Sequence, residues 1–194
     1  MSSTVADTAL KIVNRGFILI GASPITSFTD GSTEATIATN MYEDIVRTAL
    51  CNTRWRFSTN QATLNLLSDA PTGRYDRAYQ LPSSSLMIHA ITVNDNLIDY
   101  QIYGDKAYAN TTASDSLIAD FTFRAGEDKF PSYFTLAVEY SLAVAFATSV
   151  ARDGPMAQSM TVIASQAMAK ARSLDAQQQT TRKLSTSRFV TNRR

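Results

Sequence analysis

The sequence has one cysteine, Cys51, and one histidine, His89. A single thiol excludes an internal disulfide and a thiolate-rich metal site. A single imidazole leaves little material for nucleophilic catalysis, and His89 sits in a strand-like alternation where a packed or edge-exposed ring is the expected identity. No charged leader followed by an apolar stretch opens the chain, so a reducing, cytosolic site of synthesis is expected. Paired acids such as Glu43-Asp44 and Glu127-Asp128 are neighbours in sequence and point in different directions, so neither pair makes an acid/base couple or a carboxylate metal site. A helix-loop phosphate cradle would need a preceding strand and a nearby lysine, and "LIGASPITSFTDGST" (residues 19–33) has neither. No cofactor or metal is expected.

What is present suits one globular unit. With 44% apolar and 18% charged residues, a chain of 194 residues can bury a substantial core. Charge is unevenly spread. Residues 1–176 carry 13 Lys and Arg against 17 Asp and Glu, a net of −4, whereas the last 18 residues carry five basic side chains and no acid. That basic segment is a separate electrostatic object.

Apolar periodicity predicts four helices. Val5, Ala9, Ile12, Val13, Phe17 and Ile20 mark the first, closed at Gly21. Thr33 reads as the N-cap of the second, with Ala35, Ala38, Met41, Tyr42, Ile45, Val46, Ala49 and Leu50 on one stripe. The loop between them reads as a helix-to-helix connection. Trp55 and Phe57 continue the apolar set of helix two and are expected in the core, although a tryptophan between Arg54 and Arg56 could also stack on a base. From residue 77 to 125 the period becomes two, with turn signals at Asn94-Asp95-Asn96 and Gly104-Asp105, which predicts a small antiparallel meander. Pro131 suits the start of the third helix, and Tyr133–Ala151 is apolar nearly all round: a membrane span or the central helix of a bundle. Glu139 and the many alanines favour the bundle. Gly154-Pro155 opens the fourth helix, with Met160, Ile163, Ala164, Ala167, Ala171 and Leu174 as its buried stripe.

The expected fold is α+β: an antiparallel four-helix bundle with a β-meander inserted between helices two and three. The halves of the bundle are residues 1–74 and 128–176, the insertion is 75–127, and 177–194 is an extended basic C-terminal arm. A hydrolytic triad of His89 with Ser83-Ser84-Ser85 is the weaker reading beside a simple strand lead-in, and a glycosidase would need two distant carboxylates to meet, with nothing to select the pair.

The order of several strings resembles the tail tubular protein A family, the head-to-tail adaptors of short-tailed bacteriophages. These are "IGASPITSF" with the acidic turn at Asp30, "RWRF" at 54–57, "YDRAYQLP" at 75–82 and "DKFPSYFTLAVEYSLAVAFA" at 128–147. Where the family commonly has an acid-bearing lead after the Leu-Pro, this chain has Ser83-Ser84-Ser85. The resemblance implies a structural virion protein without turnover: a ring, usually a dodecamer in that family, between the portal protein and the tail nozzle protein. Such a ring lines the channel through which genomic DNA passes without specific binding, and it allows tail fibres to dock on the β-insertion. It implies portal contacts at Arg182, Lys183, Arg188, Phe189, Arg193 and Arg194, subunit contacts at Ser23, Ser27 and Asp30, and a core signature at Trp55 and Phe57. A net acidic body suits a wall that repels DNA. The alternatives are a nucleic-acid-binding protein using the basic arm and Trp55, and a virion-associated wall-degrading enzyme. No membrane partner is expected.

Overall fold

A computed structural model describes residues 5–68, 71 and 73–178. The basic segment beyond residue 178, with all six candidate portal contacts, lies outside the described residues.

Four α-helices, α1 (Ala9–Leu19), α2 (Thr33–Cys51), α3 (Ser132–Ser149) and α4 (Gly154–Ala176), form the helical part. Helix α1 starts at an N-cap threonine, Thr8, whose hydroxyl accepts from the Lys11 amide at 3.3 Å. It ends in paired reverse bonds, Ala22 N–H to Phe17 C=O and Gly21 N–H to Ile18 C=O, each 3.0 Å. That closure needs a left-handed residue, and Gly21 supplies it at φ 75°. Val5 precedes the helix and is exposed rather than part of its buried stripe. For α2 the cap is Ser32, not Thr33: Ser32 Oγ accepts from the Ala35 amide at 3.1 Å. Asp30 holds the Ser32 side chain in place, which makes Thr33 the first helical residue.

Helix α3 is the central member, packed against α1, α2 and α4. This explains its lack of a polar face: Phe134, Ala137, Val138, Leu142, Ala143, Phe146 and Ala147 are all buried. Among the described residues no helix is long and apolar enough to cross a membrane. Helix α4 is capped by Asp153, whose carboxylate accepts from the Met156 amide at 2.9 Å. Its stripe is shallower than expected: Ala171 is buried, whereas Met160, Ala164, Ala167 and Leu174 are half-buried. Ile163 is 38% exposed, and Met168, on the edge of the stripe nearest α2, is buried instead.

The strands between α2 and α3 form two antiparallel sheets, not one meander. In the first, the order is β1 (Thr59–Thr63), β8 (Leu117–Phe123), β4 (Ser85–Val93), β5 (Asn96–Leu97). In the second it is β2 (Asn65–Leu66), β3 (Arg77–Gln80), β7 (Lys106–Ala109), β6 (Tyr100–Tyr103). Two things make the difference. The strands begin at Thr59, in a polar stretch with no apolar alternation, and β8 pairs with β1 and β4 rather than with its sequence neighbour β7. The expected turns are present: Asn94 and Asp95 both have positive φ (49° and 63°), as does Gly104 (61°). Ile91, Leu117 and Ala119 of the first sheet share a second core with Tyr79, Ala107 and Ala109 of the other. The entry and exit of this part are adjacent, because Thr59 and Thr122 are register partners.

Candidate functional site

The loop between α1 and α2 bonds mainly to itself and to its two helices. Asp30 Oδ1 accepts from the Ser32 amide at 2.9 Å and from its hydroxyl at 2.5 Å, and Oδ2 accepts from the Thr26 amide at 3.1 Å. These bonds, the Ser32 hydroxyl first, hold the Asp30 carboxyl down at about 2. Ser27 Oγ accepts from the Thr29 amide at 3.1 Å. Asn14 of α1 brackets Ile25, giving and taking one bond with its backbone, both 2.9 Å. The amides of Ile25, Thr26, Thr29 and Ser32 are therefore committed within the protein, which removes the donors a phosphate would need. Ser23 and Asp30 are exposed and Ser27 is half-buried. The structure leaves them on one outward loop anchored beside the end of α1.

Trp55 is fully buried. Its indole N–H donates to the Ala49 carbonyl at 2.8 Å, and its ring meets the edge of Phe134 with centroids 5.1 Å apart. Phe57 completes the cluster against Phe130 and Phe134. A ring with no exposed surface offers no face to a base, which removes the alternative of base stacking by Trp55. Between these aromatics and the end of α4 lies Asp175, which sequence reading missed. It is 5% exposed, accepts from Tyr133 Oη at 2.8 Å and from the Arg56 amide at 3.3 Å, and its own carbonyl accepts from Arg56 Nε at 3.0 Å. Burial, then this carboxylate, pushes the Tyr133 phenol up to about 12. Asp175 thus locks the last turn of α4 onto the start of α3 and onto the arginine of "RWRF".

A second polar seam joins helices to sheets. Arg124, just past β8, donates from Nε to Glu43 Oε1 at 3.1 Å, from one terminal nitrogen to Glu43 Oε2 at 3.0 Å, and from the same nitrogen to Glu127 Oε1 at 2.6 Å. Tyr42 Oη donates to the same Glu127 oxygen at 3.0 Å. The guanidinium also lies 5.6 Å from the Phe130 ring centroid. Burial raises the Glu43 carboxyl, but bonds from Arg124 and Arg47 outweigh it and hold the group below its ordinary value. Two distant carboxylates do meet here, on one arginine that keeps them as acceptors. A glycosidase acid needs a raised pKa, the opposite of the direction at Glu43.

His89 Nε2 lies 2.7 Å from the Thr122 hydroxyl, and Ser85 Oγ donates to the Pro82 carbonyl at 2.7 Å. The serine cluster caps the lead into β4 and does not engage the imidazole. Burial, followed by the charge of Arg54, lowers the His89 pKa and keeps the ring neutral at pH 7. Among the described residues no cluster of His, Cys, Asp or Glu could hold a metal ion. What the polar groups do is hold element to element, over sequence separations of 119 residues for Arg56–Asp175 and 81 for Glu43–Arg124. Such seams fix the shape of a surface rather than transform a substrate.

In comparison with known proteins, a family model described as tail tubular protein matches residues 10–185, spanning both the helices and the two sheets. No curated protein matches the chain.

Proposed function

The chain belongs to the tail tubular protein family, and from that premise we propose that it is a head-to-tail adaptor. It is a structural, non-enzymatic protein of a bacteriophage tail. In the proposed reading, copies form a ring between the portal and the tail nozzle and enclose the channel through which the genome leaves. The observation that carries this is the extent of the family match, which takes in the helical part and the inserted sheets together. Charge supports it. The body is net acidic, as a wall that lets DNA slide past should be, and the five basic side chains after Ala176 form a segment suited to an acidic partner surface.

On this reading Arg182, Lys183, Arg188, Phe189, Arg193 and Arg194 face the portal, and the loop bearing Ser23, Ser27 and Asp30 faces a neighbouring subunit. The β-insertion then points outward, where fibres could be received. The deciding experiment is native mass measurement and imaging of the protein with and without portal. A ring on the portal is the expected result; a protein that stays monomeric and unattached beside intact portal would overturn the reading.

A further inference from the structure

Helix α3 presents two opposed sides to different neighbours. Glu139, Leu142 and Phe146 face α1: Arg15 pairs with Glu139 at 3.3 Å, and Gly16 abuts Leu142 and Phe146. Ser141 and Val144 lie about half a helical turn away. They form the floor of an open groove between α2 and α4, with a volume of about 500 Å³ in its main section and about 310 Å³ where it runs under Asp44 and Ile45. The groove and α1 are thus on opposite sides of the central helix.

The two sides are unlike and complementary. The groove is walled by Ala164 and Met168 of α4 alongside the hydroxyl-bearing Thr161 and Ser165, and residues 154–169 of that helix contain no charged side chain, so covering that stretch removes no ion from water. At its rims stand Asp44 on α2 and Arg172 on α4, neither with an ion-pair partner among the described residues. The outer side of α1 offers a ridge: Ile18, 61% exposed, with Asp7 and Lys11 one turn apart, both exposed and paired with each other at 2.6 Å. An uncharged centre flanked by one acid and one base on each side is the pattern of a specific interface.

We propose that the groove receives the α1 ridge of a second copy, Ile18 seated over Val144 and Ala164, with the exposed Asp7–Lys11 pair of that copy extended into a four-charge network by Arg172 and Asp44. The contact is heterologous: each copy gives its ridge on one side and its groove on the other, which closes into a ring when the rotation per step divides a full turn. This rests on the ring reading and assigns the faces that make it. It also places the loop of Ser23, Ser27 and Asp30 at the edge of the same contact, directly after Ile18 in the chain.

The test is a cross-link in assembled particles. Ile18→Cys and Ala164→Cys are combined in a Cys51→Ser background, each change being small and at an exposed or half-buried position. Particles carrying this chain are oxidised, and their proteins are separated without reductant while the same particles are imaged. A ladder of covalent multimers of this chain, absent from each single-cysteine variant, is the expected result. Rings in the images without a ladder would overturn the assigned faces and leave the ring reading standing. Particles in which this chain forms no ring at all would overturn the ring reading itself.

Discussion

Gly16 meets Leu142 with no room for a side chain: a Cβ at Gly16 would sit 3.1 Å from Leu142 Cβ and 3.2 Å from the Phe146 ring. The neighbouring Phe17 ring stacks on Phe146 with centroids 4.1 Å apart. Leu142 Cβ is fixed to its backbone, so α1 and α3 would have to move apart by a few tenths of an ångström. Gly16→Val is expected to destabilise the fold by about 1–3 kcal/mol, the usual cost of overpacking. The check is a denaturation midpoint that falls while the denaturant slope stays constant; an unchanged midpoint would show that α1 and α3 are looser than described.

Arg124→Gln leaves Glu43 and Glu127 without their shared cation. Because the side chains of Arg124 and Glu43 are 21% and 43% exposed, solvent screens the loss, and about 1–2 kcal/mol is expected. The pH dependence has a sign. The Glu43 pKa is lowered in the fold, so its contribution is present above the ordinary value of 4.5 and is lost as pH falls through the folded value. The gap between parent and variant should therefore narrow on acidification, as read from thermal midpoints across that range.

Glu139 behaves in the opposite way. Burial raises its pKa despite the Arg15 partner, so the ionised form costs stability above that pKa and protonation relieves the cost as pH falls. Glu139→Gln should be more stable than the parent at pH 8, with the difference closing as pH is lowered. A variant less stable at pH 8 would show that the Arg15 pair outweighs burial.

Trp55 is the only tryptophan, which makes fluorescence a direct probe of the aromatic core. Its emission should be that of a water-excluded indole, resist quenching by iodide, and not respond to added oligonucleotide. Quenching comparable to that of free tryptophan would remove the ring from the core.

Deletion of residues 180–194 should leave a folded chain that no longer attaches to portal-containing heads. Sedimentation of heads with the truncated protein reads this directly, and attachment equal to the parent would move the portal contact elsewhere.

The helices were legible because their apolar residues recur at the helical period and their ends carry local chemistry: Gly21 closes α1 at positive φ, and Gly154-Pro155 opens α4. The cap of α2 falls one residue before Thr33 because two hydroxyls adjoin and only the bond that Ser32 donates to Asp30 distinguishes them. Strand β1, "TNQAT", carries no apolar alternation, so only its pairing with β8 makes it a strand. Arg124 and Asp175 were invisible as joints for a related reason. Arg124 stands at the end of a strand alternation and Asp175 near the end of a helix, and their partners are brought near only by the finished fold. Ile163 and Met168 changed places because a helical stripe is wide, and the neighbour that covers one of its edges is not written in the helix itself.

Because Thr59 and Thr122 lie side by side, the chain leaves the helical part and returns to it through a doorway one strand spacing wide, about 4.8 Å. The chain between them keeps a core of its own, around Ile91, Leu117 and Tyr79, while Leu86 packs on the helical core and Asp120 pairs with Arg54 at 3.2 Å. The two sheets are in that sense a cassette, joined to the helical part at one doorway.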